Sequence, residues 1–199
     1  MKFTCLKENL VVGLQTVIHV SSKNVTLPIL NNVLVRAKEG VIELTSTNLE
    51  IAVIATVRAK VEAAGSFTVP ARTFAEYVQL LSDSQVEVEL KGDELWIVTP
   101  TSKTKIKGES PEEFPVIPEA EGGTTFGFGV AALREGLSQT IFSVSRSDVR
   151  PELAGVLFHI NAPEQKGILF LAATDSFRLS EKQIAVQNEQ KEQEMRVIV

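Results

Sequence analysis

FTCLKENLVVGLQTVI, residues 3–18, returns as FGFGVAALREGLSQTI, residues 126–141. At a constant offset of 123, Phe126 stands for Phe3, Leu133 for Leu10, Gly136 for Gly13, Leu137 for Leu14 and Ile141 for Ile18. The register continues with Pro151 for Pro28, Leu153 for Leu30 and Val156-Leu157 for Val33-Leu34. The loop NAPEQKG then inserts four residues, after which Gly167 stands for Gly40, Leu171 for Leu44 and Thr174-Asp175 for Thr47-Asn48. Proline, glycine and Thr-Asx positions recurring in one order mark a duplicated architectural unit.

The first copy reads outward from there. Lys2–Cys5 is strand-like. Leu6, Leu10, Leu14 and Val17 then form one apolar stripe of helical period. A polar loop through Lys23 and Asn24 leads to Pro28. Three strands are expected over Asn32–Ala37, Val41–Thr45 and Leu49–Val57, the first two joined at Lys38-Glu39-Gly40, where glycine accepts a positive φ. The plan then restarts. Ser66–Val69 is a strand, Pro70 suits a helix entry, and Phe74, Tyr77, Val78 and Leu81 make a second helical stripe. Val86–Leu90, Leu95–Thr99 and Lys103–Lys107 are three more strands. Residues 1–57 and 65–108 therefore share the order strand, helix, three strands. The stretch GESPEEFPVIPEAEGG, 108–123, carries three of the eight prolines and five glutamates, which disfavours helix and sheet and marks a domain boundary. The expected class is α+β, built from repeated βαβββ units, with one domain over 1–120 and a second over 121–199. Met195–Val199 matches the strand before Pro70, so the second domain stops about halfway through its plan.

Composition excludes several functions. Hydrophobic residues make up 44% of 199 residues, enough for a sizeable core. The formal net charge of -5 argues against a protein held to nucleic acid by bulk positive charge, without excluding a local basic surface. The single cysteine, Cys5, rules out an internal disulfide and reads as a small buried hydrophobe. The N-terminus has no signal-peptide core, and Val11–Val20 is too short and polar to span a bilayer, so a soluble cytoplasmic protein is expected.

No catalytic motif stands out. GxGxxG, a P-loop, GxSxG, CxxC and HExxH are all missing. Asp175-Ser176 with His159 could be drawn as a triad, but such triples arise by chance. Paired βαβββ modules also occur in metal-dependent vicinal-oxygen-chelate enzymes, which need His and Glu ligands converging from strands. Here His159 with Glu43 and Glu50 is a thin ligand set, and this stays the alternative reading. The cations suggest more by position. Lys23 follows the first helix; Arg146 and Arg150 follow its repeat; Arg72 opens the second helix; Arg134 lies on the repeated one. Together they could touch phosphates without reading bases. Lys103, Lys105 and Lys107 alternate on one strand, as edge protection also would. Phe142 is the one aromatic at the repeated helix and is expected in the core.

MKFT at the start, TLPILNNVLV at 26–35, ELTSTNLEI at 43–51, FTVPARTFAEYV at 67–78, EEFPVIP at 112–118, SDVRPELAGVLF at 147–158 and LAATDSFRLS at 171–180 resemble the bacterial DNA sliding clamps, the β subunit of the replicative DNA polymerase III. The resemblance runs through nearly the whole chain. It implies clamp domains made of βαβββ pairs, helices lining a central hole and sheets outside. It implies three domains per subunit, of which the third is absent here, and two subunits joined head to tail into a ring. It implies double-stranded DNA as partner, polymerase, clamp loader and repair proteins bound through short peptides, no cofactor, no metal and no enzymatic activity. The family's DNA-facing positions fall here on Lys23, Asn24, Arg146 and Ser147, with Arg72 and Arg150 as further candidates. Its peptide groove falls on Leu153, Thr174, Ser176, Phe177, Arg178 and Leu179.

Overall fold

The structure is a computed structural model that describes residues 1–20, 27–118, 124–147, 149–187 and 193–199. It separates into two compact units, Met1–Glu119 and Ala120–Val199.

Unit 1 contains β1 (Lys2–Leu6), α1 (Lys7–Ile18), β2 (Asn32–Lys38), β3 (Val41–Thr47), β4 (Ala52–Arg58), β5 (Lys60–Ala63), β6 (Gly65–Pro70), α2 (Ala71–Leu80), β7 (Gln85–Lys91), β8 (Glu94–Val98) and β9 (Lys103–Lys107). These strands form two antiparallel sheets, ordered β4-β3-β2-β6 and β5-β1-β7-β8-β9. The two βαβββ modules have exchanged their first strands. β6, which opens the second module, pairs with β2 of the first, and β1 pairs with β7 of the second. Neither module is a closed body alone; each lends a strand to its neighbour's sheet.

That exchange makes one shared core. Leu10, Leu14 and Val17 from α1 meet Phe74 and Val78 from α2, Val33 and Val35 from β2, and Val86 and Val88 from β7 in a single buried cluster. Burying a residue such as Leu14 contributes about 1.5–3 kcal/mol each. Helical period 3.6 on α1 and α2, and period 2 on the strands, direct these side chains inward. Gly13 lies against β3 and β4, where an added Cβ would stand 2.5 Å from Val57 Cγ2 and 3.0 Å from Leu44 Cδ1.

Unit 2 contains α3 (Val130–Thr140), β10 (Leu157–Ala162), β11 (Gln165–Thr174), β12 (Leu179–Ala185) and β13 (Met195–Ile198), in one antiparallel sheet ordered β12-β11-β10-β13. This repeats β4-β3-β2-β6 strand for strand. Gly136 repeats Gly13, its added Cβ falling 2.6 Å from Ile184 Cδ1 and 2.9 Å from Leu171 Cδ1. Gly40 and Gly167 repeat a positive φ, 76° and 74°. Val156, Ile160, Leu169, Leu171, Ala173, Ile184 and Val186 form the core, with Leu133 and Leu137 of α3 partly buried against it. The counterpart of β1 forms no strand among the described residues. It is an extended segment tied down by the Gln187 N–H donating to the Gly127 carbonyl at 2.8 Å.

Four readings change. Leu6 ends β1 and is exposed rather than opening the helical stripe. The strand expected from Leu49 begins at Ala52, because Asn48 folds 48–51 into a turn: its Oδ1 accepts the N–H groups of Glu50 (3.0 Å) and Ile51 (2.8 Å), and Leu49 takes φ 77°. β5 has no counterpart in the sequence reading; it completes the far edge of the β1 sheet. Phe142 is exposed, in the short turn Ile141–Ser143 after α3, with the Arg178 guanidinium 5.7 Å from its ring.

Candidate functional site: a surface cavity in unit 2

The end of β11 and the start of β12 are joined by a loop that repeats 47–52 bond for bond. Thr174 Oγ1 donates to the Arg178 carbonyl (2.7 Å) and accepts the Ser176 N–H (3.1 Å), as Thr47 does with Ile51 and Leu49. Asp175 Oδ1 accepts the N–H groups of Phe177 and Arg178, both at 3.0 Å, as Asn48 does for Glu50 and Ile51. Ser176 takes φ 75°, matching Leu49. These turn bonds fix the loop, since Asx side chains substitute for backbone acceptors. The Phe177 N–H first, then the Arg178 N–H and guanidinium, hold the Asp175 carboxyl below its ordinary value. The Arg178 Nε–Asp175 Oδ2 distance is 2.9 Å.

Beside this loop lies a cavity of about 240 Å³. Leu153, Thr174 and Leu179 line it, together with Gly155, Leu157, Ala172 and Ile198, and Glu152 at the rim. Most of its wall is apolar, on the sheet face opposite the unit 2 core, because Leu157, Ala172 and Thr174 share one side of β10 and β11 under period-2 alternation. Ser176 adjoins it and accepts a hydrogen bond from Arg150 Nη1 at 3.4 Å. Phe177, 98% exposed, and Arg178, engaged with Asp175 and Phe142, sit on the loop without lining the cavity. Gly155, Leu157, Ala172 and Ile198 escaped the sequence reading, since strand pairing across β10, β11 and β13 gathers them. The alternation of Ala172 and Thr174 was the available signal.

The DNA-facing candidates are placed as follows. Lys23 and Asn24 lie outside the described residues. Arg146 and Ser147 are exposed in the loop after α3, where the Ser147 N–H donates to Ser145 Oγ (3.1 Å). Arg150 is exposed but turned to Ser176 beside the cavity. Arg72 is exposed on the first turn of α2. On β9, an edge strand, Lys105 pairs with Glu94 (2.6 Å) and Lys107 with Asp93 (3.4 Å), while Lys103 stands 4.6 Å from the Trp96 ring centroid.

The alternative chemistry does not assemble. His159 Nε2 is 2.8 Å from Glu194 Oε1 and 3.1 Å from Arg196 Nε, while Glu43 pairs with Lys38 at 2.7 Å. Glu194 is held below its ordinary value chiefly by that His159 bond. Among the described residues no three His, Cys, Asp or Glu side chains group as metal ligands. Cys5 is buried, and burial pushes its thiol up to about 12, far from thiolate chemistry. No helix among the described residues is long and apolar enough to cross a membrane.

βαβββ modules that exchange strands and recur along one chain are the architecture of DNA-clamp domains. Residues 1–118 match the family model of the DNA polymerase III beta subunit, N-terminal domain, and residues 129–199 that of its central domain. The chain belongs to the DNA polymerase III beta subunit family. It is 34% identical to the beta sliding clamp of Vibrio cholerae over 182 residues and 30% identical to that of Bacillus subtilis over 189, covering 90% of this chain and 49% of each relative. It superposes on the crystal structure of the Bacillus subtilis DNA polymerase sliding clamp with a TM-score of 0.90 at 26% identity, and on the Thermotoga maritima beta subunit with 0.88 at 28%. These alignments cover 100% and 99% of this chain and 53% and 52% of those chains. The chain thus spans about half the length of the relatives it matches. Those relatives are sliding clamps, not metal enzymes, which displaces the vicinal-oxygen-chelate alternative.

Proposed function

We propose that this chain supplies the first domain and part of the second of a cytoplasmic DNA sliding clamp, a non-catalytic ring that tethers the replicative polymerase to duplex DNA. The strand-exchanged pair of modules in unit 1, whose β4-β3-β2-β6 sheet recurs in unit 2 as β12-β11-β10-β13, carries the reading. A heterologous interface whose rotation closes makes a ring rather than a fibre. Two subunits meeting head to tail would enclose the duplex, and a ring is retained by linkage rather than affinity. Strong phosphate binding would slow sliding, so a net charge of -5 is compatible with a DNA partner. Lys23, Asn24, Arg146 and Ser147 are the proposed phosphate-facing positions, with Arg72 and, less centrally, Arg150.

The unit 2 cavity is the proposed seat for the short peptides of polymerase, clamp loader and repair proteins. Apolar walls at Leu153, Leu157 and Leu179 with a polar rim at Thr174 and Ser176 fit an anchor side chain in a groove. The deciding experiment loads the full-length protein onto nicked circular DNA and then cuts the circle. Retention on the circle and loss from the linear product is expected; equal retention on both rejects topological tethering. Leu153→Asp should abolish binding of a polymerase tail peptide while the circular dichroism spectrum is kept, and retained binding would reject the pocket.

A further inference from the structure

Arg58 and Lys60 stand on either side of the residue where the chain leaves one sheet of unit 1 for the other. β4 ends at Arg58 and β5 begins at Lys60, in different sheets. Only Ala59 lies between, and its N–H donates to the Gly40 carbonyl at 3.1 Å. The two cations border an open cleft of about 910 Å³. Thr4, Asn9 and Gln85 add polar side chains to its wall, and Cys5 and Val41 lie in its apolar part. No carboxylate is among the described residues that line it.

The other cations on the strands of unit 1 have partners. Lys2, Lys38, Lys91, Lys105 and Lys107 each have a carboxylate oxygen within 3.4 Å, Arg36 has Glu43 at 4.0 Å, and Lys103 has the Trp96 ring. Among the described residues, Arg58 and Lys60 have neither a carboxylate in ion-pair range nor a ring. Glu62 is held below its ordinary value chiefly by its hydrogen bond to Lys2, and only in small part by Lys60. The side chains of Thr4, Asn9 and Gln85 likewise have no hydrogen-bond partner among the described residues. The repeat shows that the fold does not require these groups. In unit 2, Ala185 stands for Arg58 and Gln187 for Lys60 at the offset of 127, and Ala132 stands for Asn9 at the offset of 123. The backbone joint still forms there, the Val186 N–H donating to the Gly167 carbonyl at 2.9 Å. Two like charges so near in the chain repel each other, and an anion between them would relieve that repulsion.

We infer that this cleft binds a phosphorylated small molecule of nucleotide size, its phosphates between Arg58 and Lys60 and its ring against Cys5 and Val41. The guanidinium matches two phosphate oxygens at once, and the ammonium adds a point charge. The volume falls within the roughly 300–1,000 Å³ of small-molecule sites. A wall without carboxylates offers nothing to a cation. Thr4, Asn9 and Gln85 supply hydroxyl and amide groups for the polar parts of the molecule. The site stands apart from the ring reading, since it needs neither duplex DNA nor a partner peptide.

The test titrates metal-free ADP into the isotope-labelled 199-residue chain at low ionic strength and follows the amide resonances by NMR. Saturable shifts confined to Thr4, Asn9, Gly40, Arg58–Lys60 and Gln85 are expected. Arg58→Ala and Lys60→Ala should each weaken binding about tenfold, and the double variant should abolish it, as loss of charge-assisted hydrogen bonds requires. Lys103→Ala, a cation of the same unit outside the cleft, should leave it unchanged. The spectra of the variants report their folding directly, since both side chains are exposed. Adenosine should not bind, and inorganic phosphate should bind about tenfold more weakly than ADP. No saturable shift, undiminished binding by the double variant, or phosphate binding as tightly as ADP overturns the inference. So does a single-stranded oligonucleotide that outcompetes ADP at the same resonances, which would make the cleft a nucleic-acid contact instead.

Discussion

Leu10 and Leu14 in unit 1 and Leu133 and Leu137 in unit 2 occupy matching places on matching helices, yet the first pair is sealed and the second is half-buried. α1 is covered by α2 and lies within a core fed by two sheets, whereas α3 packs on β11 and β12 of one sheet. Phe3, in β1 between β5 and β7, is fully buried; Phe126, on the extended counterpart of β1, is not. Equal sequence therefore produces equal local structure here, and unequal burial. Burial belongs to packing, and packing in unit 1 comes from the strand exchange between its two modules.

That contrast can be broken by measurement. Leu14→Ala should cost unit 1 about 3–5 kcal/mol, because a sealed site collapses little around the cavity, while Leu137→Ala should cost unit 2 no more than about half of that. Trp96, the single tryptophan, reports unit 1 in denaturant titrations, and amide exchange along β11 reports unit 2. Equal losses would mean that the two helices are equally packed in solution. Phe114→Ala, which removes a ring buried with Ile29, Leu30 and Leu34, should cost unit 1 about 3 kcal/mol by the same Trp96 readout, and a loss below about 1 kcal/mol would show that this cluster contributes little.

A finer probe uses the paired glycines. An Ala at Gly13 gains about 1 kcal/mol of helix propensity but presses on Val57, a stiff β-branched side chain, and should leave a net loss of about 1–2 kcal/mol. Gly136→Ala meets only the flexible ends of Ile184 and Leu171 and should fall within about 0.5 kcal/mol of neutral. The smallest effect is expected at the matched loops. Asp175→Asn should leave the 174–179 turn intact, since Asn48 caps its twin. What it should remove is pH dependence. The Asp175 value is lowered on folding, so its contribution is full at neutral pH and is lost as pH falls through a folded value lying below the usual 3.8. Protection of the Phe177 and Arg178 amides, measured against their intrinsic exchange rates, should therefore fall in strong acid for the parent chain only; the same loss of protection in Asp175→Asn would discard this account.

Much of this was legible in the residues themselves. The helical stripes, the glycine turn at Gly40 and the repeat gave the order of elements, because local periodicity and turn chemistry act over a few residues. β5 was not legible: all but Val61 of its four residues are exposed, and their partner is β1, some sixty positions earlier. Leu49–Ile51 looked like strand because Leu49 and Ile51 flank the charged Glu50 in alternation, whereas the preceding Thr-Asn pair, a turn signal, decides the backbone. Of the cavity, Leu153, Thr174 and Leu179 were reached through resemblance to the clamp family. Leu157, Ala172 and Ile198 become neighbours only through strand pairing, and Ile198 only once β13 docks on β10.

The swap of opening strands also sets a timetable. Phe3 and Cys5 leave the ribosome long before Val86 and Val88, against which β1 is laid. At roughly 5–20 residues per second, the first strand waits on the order of ten seconds for its bed. During that interval its apolar side chains and bare edge are open to any other nascent chain. Unit 1 matures only once its last third has been made.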